Sequence, residues 1–452
     1  MENNNKLYRF IKDKLFIVSG LNKQNEIARL IFEILKKYNY SLNEMLALKE
    51  IKDYRKDRIF DFNRIKKILI NLRYPETSKQ GQIRNNDIFL PPLHKSKFNR
   101  KYFYSGSFKP RKIYVEKKAL SSPLSLKILS QFGHMKPVLI DRLKDIQRDH
   151  GSFLSTMGKD ELFLVHQNYD IIKPCPCSKN VLSCGYYILN IGFGCPYDCS
   201  YCYLQHYSNF PGIILPVNIN DILEKLGYYL KKSIIPMRRI GTGEFTDSLA
   251  LDPVTGYTIP LLNFFESSDY ILELKTKSTH IHELLNHRPL KNVVVAWSVN
   301  PQKVIDQEEW FTPSLDERLR AAESIQRAGY PVAFHFDPIL YYPAWEKDYD
   351  SVIDKIFTYT RGHISWISLG TLRFHRSLKS IIELRFPQNK ILDSELLIDP
   401  SDKKMRYPHF VRKSILSRMI RTLRSYNKHI NIYLCMEPGK VWTELNIRLN
   451  KF

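Results

Sequence analysis

YYILNIGFGCPYDCSYCYLQ, residues 186–205, runs a short apolar segment into three closely spaced cysteines. YYILNIGF (186–193) is aromatic and rich in Ile and Leu, and glycine closes it, so it reads as a buried strand. Cys195, Cys199 and Cys202 occupy the loop directly behind it. A strand that feeds a reactive loop is the opening of a βα unit, whose chemistry gathers at the C-terminal strand ends.

The same grammar repeats downstream. RRIGTGE (238–244), YILELKTKS (270–278), NVVVAWSVN (292–300), PVAFHFDP (331–338), ISWISLGTL (364–372) and NIYLCME (431–437) read as strands, most of them followed by amphipathic helical segments. The helix after NVVVAWSVN opens at Ser314, where Ser-Leu-Asp-Glu forms a capping box. Alternating apolar strands and helices predict a parallel sheet of about six or seven βα units. Eight units are not visible, so a partial barrel is the better fit and an open doubly wound sheet the second. Upstream, RKIYVEKKAL, PLSLKILSQF and PVLIDRL predict a small α/β subdomain over 111–184, with the barrel over 185–445. Residues 1–110 are mostly helical in pattern, since EIARLIFEILKKYNY and NRIKKILINLRY repeat apolar residues at three- and four-residue spacing. From Pro75 to Pro110 the pattern dissolves into Asn, Ser, Lys and Pro, as in a linker.

The 452 residues are 43% hydrophobic, and no apolar run approaches the ~18 residues that cross a bilayer. With charges scattered through the N-terminal stretch, no signal peptide is expected, and the expected location is the cytosol without membrane association. Six of the seven cysteines fall between Cys175 and Cys202, which excludes a spread disulfide framework and points to metal or redox chemistry. The net charge is +23, and residues 1–110 contribute +13 of it, with 24 Lys and Arg against 11 Asp and Glu. An excess of that size suits a polyanionic partner, because each neutralised phosphate releases counterions. RFHRS (373–377) and KKMRYPHFVRK (403–413) mix cations with aromatic rings, a composition suited to a nucleic-acid backbone and an extruded base.

Three thiolates from one loop can bind three irons of a cubane cluster and leave the fourth open for a reactive ligand. Zinc would want a fourth Cys or His at comparable spacing, and His206 lies four residues beyond Cys202, off that spacing.

The Cys-x3-Cys-x2-Cys motif resembles the signature of the radical S-adenosylmethionine (SAM) superfamily. Within it, CSYCYLQ and GTGEFTDSLALD are similar to the spore photoproduct lyase family, and the likeness runs from about Lys112 to about Glu444 through LKTKS, WSVN and IYLCMEPGKVW. The resemblance implies a partial (β/α)6-type radical SAM barrel. It implies a [4Fe–4S] cluster on Cys195, Cys199 and Cys202, with SAM on the open iron. It implies further that reductive cleavage of SAM gives a 5′-deoxyadenosyl radical, which starts direct reversal of a thymine photoproduct in damaged duplex DNA. An electron donor such as a flavodoxin or ferredoxin is implied as a second partner. Glu244, Thr246, Asp247, Lys277 and Ser298 match positions that contact SAM, and Tyr201 and Tyr203 match relay tyrosines.

One departure is chemical. The family's hydrogen-donating cysteine belongs two residues before Thr246, where this chain has Glu244. A carboxylic O–H bond is too strong to give its hydrogen atom to a carbon radical, whereas a thiol S–H is weak enough. Cys435, at the end of the last strand, is one substitute donor, and the upstream group Cys175, Cys177 and Cys184 offers others, or a second metal site. The alternative function is a radical SAM enzyme acting on RNA or a peptide; a non-catalytic DNA-binding protein with a structural cluster is a third.

Overall fold

All seven expected strands join one sheet in the computed structural model of the chain, which describes residues 2–15, 17, 19–57, 61–81, 83–93, 106–146, 155–167, 170–177, 181–206, 212–232 and 239–448. They are β1 (Tyr186–Leu189), β2 (Arg239–Gly241), β3 (Ile271–Thr276), β4 (Val293–Ser298), β5 (Val332–Ile339), β6 (Ile367–Thr371) and β7 (Ile432–Leu434). They lie in the order β7-β6-β5-β4-β3-β2-β1, each parallel to its neighbour, and Ile172–Pro174 adds an antiparallel edge strand to β1. β4 is buried at all six positions, which explains why it reads as an unbroken apolar run rather than an alternating one. The capping box at Ser314 forms with Glu317 and starts helix Leu315–Ala328, which packs on β4 and β5.

The sheet curls until its ends approach each other. Leu182, beyond the edge strand, donates its N–H to the Glu437 carbonyl after β7, 3.4 Å away. Inside the curl, the Arg239 guanidinium of β2 lies 5.4 Å over the Tyr186 ring of β1 and 4.8 Å over the Tyr433 ring of β7. Arg239, Glu273 and His335 are buried there together: His335 Nε2 donates to Glu273 Oε1 at 2.6 Å, and Glu273 Oε2 is 3.5 Å from Arg239 Nε. The carboxylate can only accept, so Nε2 carries the shared hydrogen, and burial pushes His335 below the ordinary range even with Glu273 beside it.

A second, four-stranded parallel sheet has the order Val138–Ile140, Lys112–Glu116, Glu161–Val165, Ile213–Pro216. Its last strand comes from beyond the cysteine loop, and Ile172–Pro174 belongs to the barrel sheet, so the boundaries expected at 111–184 cut across both sheets. A Phe193–Ile214 bridge ties them at the mouth of β1.

The chain divides into two units, residues 99–372 with 413–452, which carry both sheets, and residues 1–98 with 373–412. The grouping of 373–412 with the N-terminal helices differs from the expectation of one barrel to residue 445. In that second unit Leu21–Tyr38 and Phe62–Arg73 are helices whose apolar faces meet Met45, Ile51 and Tyr54 in a core. The stretch expected as a linker contributes Ile83, Ile88, Leu90 and Leu93 to that core. Residues 373–412 supply a three-stranded antiparallel sheet of Arg373–His375, Lys404–Arg406 and Leu397–Ile398. The cation-rich stretch 403–413 is half core: Met405 and Tyr407 are buried, Arg406 pairs with Asp402, and Arg412 reaches Asp399 at 3.4 Å. Lys403 and Lys413 remain exposed there. Among the described residues no helix is long and apolar enough to cross a membrane.

Candidate active site

The loop that follows β1 is held at the C-terminal rim from several sides. Gly194 sits at φ +87°, and a Cβ there would meet Ile213 at 3.2 Å, so the chain can turn into the loop only with glycine. Gly194 N–H donates to the Phe245 carbonyl at 2.9 Å, which fixes the loop against the turn after β2. Lys159, from the second sheet, donates its ammonium to the Cys195 carbonyl at 2.8 Å and to the Tyr197 carbonyl. The Gln205 side-chain amide donates to the carbonyls of Cys199 (3.2 Å), Ser200 (2.9 Å) and Cys202 (3.3 Å). Asp198–Cys199 also pairs antiparallel with Glu309–Trp310, and Ser200 N–H donates to the Glu308 carbonyl at 2.8 Å. Neither Lys159 nor Gln205 was legible as functional, because each acts through backbone carbonyls that carry no sequence signature. Gln205 stands three residues behind the last thiol, and that offset was the only sign of it.

Glu309 is the polar hub beneath the loop. Fully buried, it accepts from Asn300 Nδ2 at 2.8 Å, from Arg318 at 2.7 Å and from the Tyr201 hydroxyl, with Lys277 Nζ 3.9 Å away. Burial alone would raise its carboxyl, but Lys277 and then Arg318 outweigh it and hold the group at about 2. The pattern of the sequence around EEW gave no hint of this.

The residues matched to SAM contacts gather at the same rim. Glu244, Thr246 and Asp247 lie on the turn after β2, Lys277 directly after β3, and Ser298 at the end of β4. Gly243 lets that turn lie against β3, since a Cβ there would come within 2.6 Å of Lys275 Cβ. Asp247 is engaged by the protein itself: Oδ1 accepts from Thr276 (2.6 Å), Leu249 N–H (3.0 Å) and Ala250 N–H (2.9 Å), and Oδ2 from Lys277 N–H (2.7 Å). Its role visible here is to fasten the turn to the end of β3 and so place Lys277. The Tyr203 hydroxyl donates to the Glu244 carbonyl, so the second tyrosine is tied to the same turn. Ser298 offers its carbonyl to Arg318 at 2.9 Å. Cys435 stands apart from the loop, just past β7, with its N–H on the Leu369 carbonyl at 2.7 Å.

Cys195, Cys199 and Cys202 are free thiols that neighbour one another electrostatically. Burial pushes Cys195 up to about 12, Asp247 adds to that, and Lys159 opposes it; burial likewise raises Cys199 and Cys202, against Lys277 and Lys159. Buried thiols of this kind become thiolates when a metal supplies the countercharge. Among the described residues, three Cys, His, Asp or Glu donors nowhere converge on one point as a single ion requires. Three soft thiolate donors from one loop can hold three corners of an iron–sulfur cluster and leave the fourth open.

Comparison with known proteins agrees with this arrangement. The family model for spore photoproduct lyase matches residues 108–421. The spore photoproduct lyase of Clostridium acetobutylicum is 27% identical over 315 residues, covering 66% of this chain and 88% of that protein. The lyase of Bacillus subtilis (strain 168) is 26% identical, covering 64% and 86%. Spore photoproduct lyase complexed with dinucleoside spore photoproduct shares the fold, with a TM-score of 0.63 over 72% of this chain and 99% of that one, at 23% identity. With its family model spanning the three-thiol loop and the parallel strands β1 to β6, the chain belongs to the spore photoproduct lyase family.

Proposed function

We propose that the chain is a radical SAM lyase that directly reverses thymine photodamage in DNA, with a [4Fe–4S] cluster and SAM as cofactors. The observation that carries the reading is the loop of three free thiols, clamped at the C-terminal rim beside Lys277 and the Glu244–Asp247 turn. The relatives named above support it, and one solved lyase holds both AdoMet and dinucleoside spore photoproduct.

In this reading Cys195, Cys199 and Cys202 hold the cluster, while Glu244, Thr246, Lys277 and Ser298 receive the polar end of SAM. When bound, the two cofactors supply a carbon-centred radical that removes hydrogen from the lesion. Asp247 positions Lys277, and Glu309 orients Tyr201 by accepting its hydroxyl hydrogen. Tyr201 and Tyr203 are the relay residues, and Cys435 is a thiol within reach of the barrel interior. The basic unit built on the N-terminal helices contributes phosphate contacts to duplex DNA, and a small flavodoxin- or ferredoxin-type protein supplies the electron, in the cytosol.

Incubating the anaerobically reconstituted protein with dithionite, SAM and dinucleotide spore photoproduct tests the reading. Thymidylyl-thymidine is the expected product. Cleavage of SAM without any conversion of the dinucleotide would remove photoproduct reversal as the function.

A further inference from the structure

Four thiols lie outside the cluster loop, and the curl of the sheet gathers them. Cys175 and Cys177 follow the antiparallel edge strand at one end of the sheet, Cys184 precedes β1, and Cys435 follows β7 at the other end. Cys175 continues the edge pairing, with its N–H on the Tyr186 carbonyl at 2.9 Å, and Cys177 N–H turns back to the Cys175 carbonyl at 2.7 Å. Residues opposite one another in an antiparallel pair share a face, so Cys175 lies on the face of Tyr186. That face is the interior of the curl: a Cβ on Gly241 would fall within 2.2 Å of the Tyr186 hydroxyl. Cys184 is already engaged within the curl, its sulfur accepting from Arg239 at 3.0 Å.

The neighbours of Cys175 are those a hydrogen donor needs. Its thiol is hydrogen-bonded to that of Cys177, and Glu244 and Cys435 lie within its electrostatic reach. Cys175 is in turn among the neighbours of Tyr203, whose hydroxyl rests on the Glu244 carbonyl. Glu244 stands where the family resemblance places the donor thiol, and its side chain cannot do that work. Cys175 therefore brings an S–H group, from a different strand, to the interior of the curl and within electrostatic reach of the vacated position.

We propose that Cys175 is the hydrogen-atom donor to the substrate carbon radical, with Cys177 orienting its S–H bond. The step rests on the lyase reading above. It forms one C–H bond on the thymine and breaks the Cys175 S–H bond homolytically, so that the unpaired electron passes from carbon to sulfur and no charge moves. Tyr203 can refill the sulfur by the same exchange, O–H for S–H.

The test compares wild type with Cys175→Ser, Cys175→Ala and Cys435→Ser, all anaerobically reconstituted and checked for equal iron content. Reactions with dinucleotide spore photoproduct are run in D2O. The readouts are thymidylyl-thymidine formed per 5′-deoxyadenosine and deuterium in the recovered thymine. Wild type takes up deuterium, because thiol hydrogens exchange with solvent. In Cys175→Ser and Cys175→Ala the ratio falls at least about tenfold and the deuterium is lost. A readout without turnover is alkylation of Cys175 followed by mass spectrometry, in protein lacking SAM; the dinucleotide slows it at least about threefold. Ratio and deuterium unchanged in both Cys175 variants, or lost in Cys435→Ser instead, would overturn the proposal. Wild type that releases no 5′-deoxyadenosine would remove the lyase reading beneath it as well, so the two failures are distinct.

Discussion

Alanine at Cys199 is expected to bring the release of 5′-deoxyadenosine from SAM down to the protein-free background. Cys199 is the most buried of the three loop thiols, and its backbone is committed to the short ladder with Glu309–Trp310 and to the Gln205 amide. No side chain can move into its place without breaking those bonds. Losing an outer partner of a metal site costs about 10–100-fold, and losing a direct ligand costs more, so the expected loss is at least about a hundredfold. Gln205→Ala, which leaves the thiols but frees three carbonyls, should fall between wild type and Cys199→Ala. Chromatographic measurement of 5′-deoxyadenosine after dithionite reduction checks both. A Cys199→Ala protein that still cleaved SAM would show that the loop is not the source of the chemistry.

The largest effect on stability is expected from Glu33→Gln. Glu33 accepts from Arg29 Nε (2.8 Å), Arg73 Nε (2.9 Å) and Lys379 Nζ (2.7 Å), all nearly fully buried. Arg29 also reaches Glu383, and Arg73 donates to the carbonyls of Leu392 and Ser394. These bonds fasten residues 373–412 to the N-terminal helices within their unit. Removing the central carboxylate leaves three buried cations with carbonyl partners and a single hydrogen-bonded carboxylate, Glu383 on Arg29, which costs about 3–5 kcal/mol. The melting temperature of that unit should drop by roughly 10 °C. Burial would raise the Glu33 carboxyl, but Lys379, Arg29 and Arg73 hold it well below the carboxylate range. Because its folded pKa is depressed, its stabilisation is present above the ordinary carboxylate pKa and is lost only as pH falls through the depressed one. Calorimetry of Glu33→Gln against wild type at neutral pH checks the claim. A loss under about 1 kcal/mol would mean that the three cations are solvated or paired elsewhere.

The barrel was legible wherever burial on both faces made a strand continuously apolar, as in NVVVAWSVN and YYILNIGF. The cysteine spacing was legible because ligand chemistry constrains it locally. What escaped depends on pairings that sequence patterns do not encode. Ile213–Pro216 reads like any short apolar run, and its choice of Glu161–Val165 as partner is a tertiary event. The edge position of Ile172–Pro174, which brings Cys175 into the interior of the curl, is another. Arg406 and Arg412 looked like a nucleic-acid surface until Asp399 and Asp402 took them up, and those aspartates stand in the same stretch of sequence without any pattern to reveal it. Glu309 was invisible for the same reason: its hydrogen-bond donors Tyr201, Asn300 and Arg318 come from three separate segments.

Electron paramagnetic resonance of the reduced, anaerobically reconstituted protein, recorded with and without SAM, tests the central claim most directly. The account predicts about four irons and four sulfides per chain and a reduced-cluster signal that changes when SAM occupies the open corner. Bound zinc in place of iron, or a cluster signal that SAM leaves untouched, would contradict it.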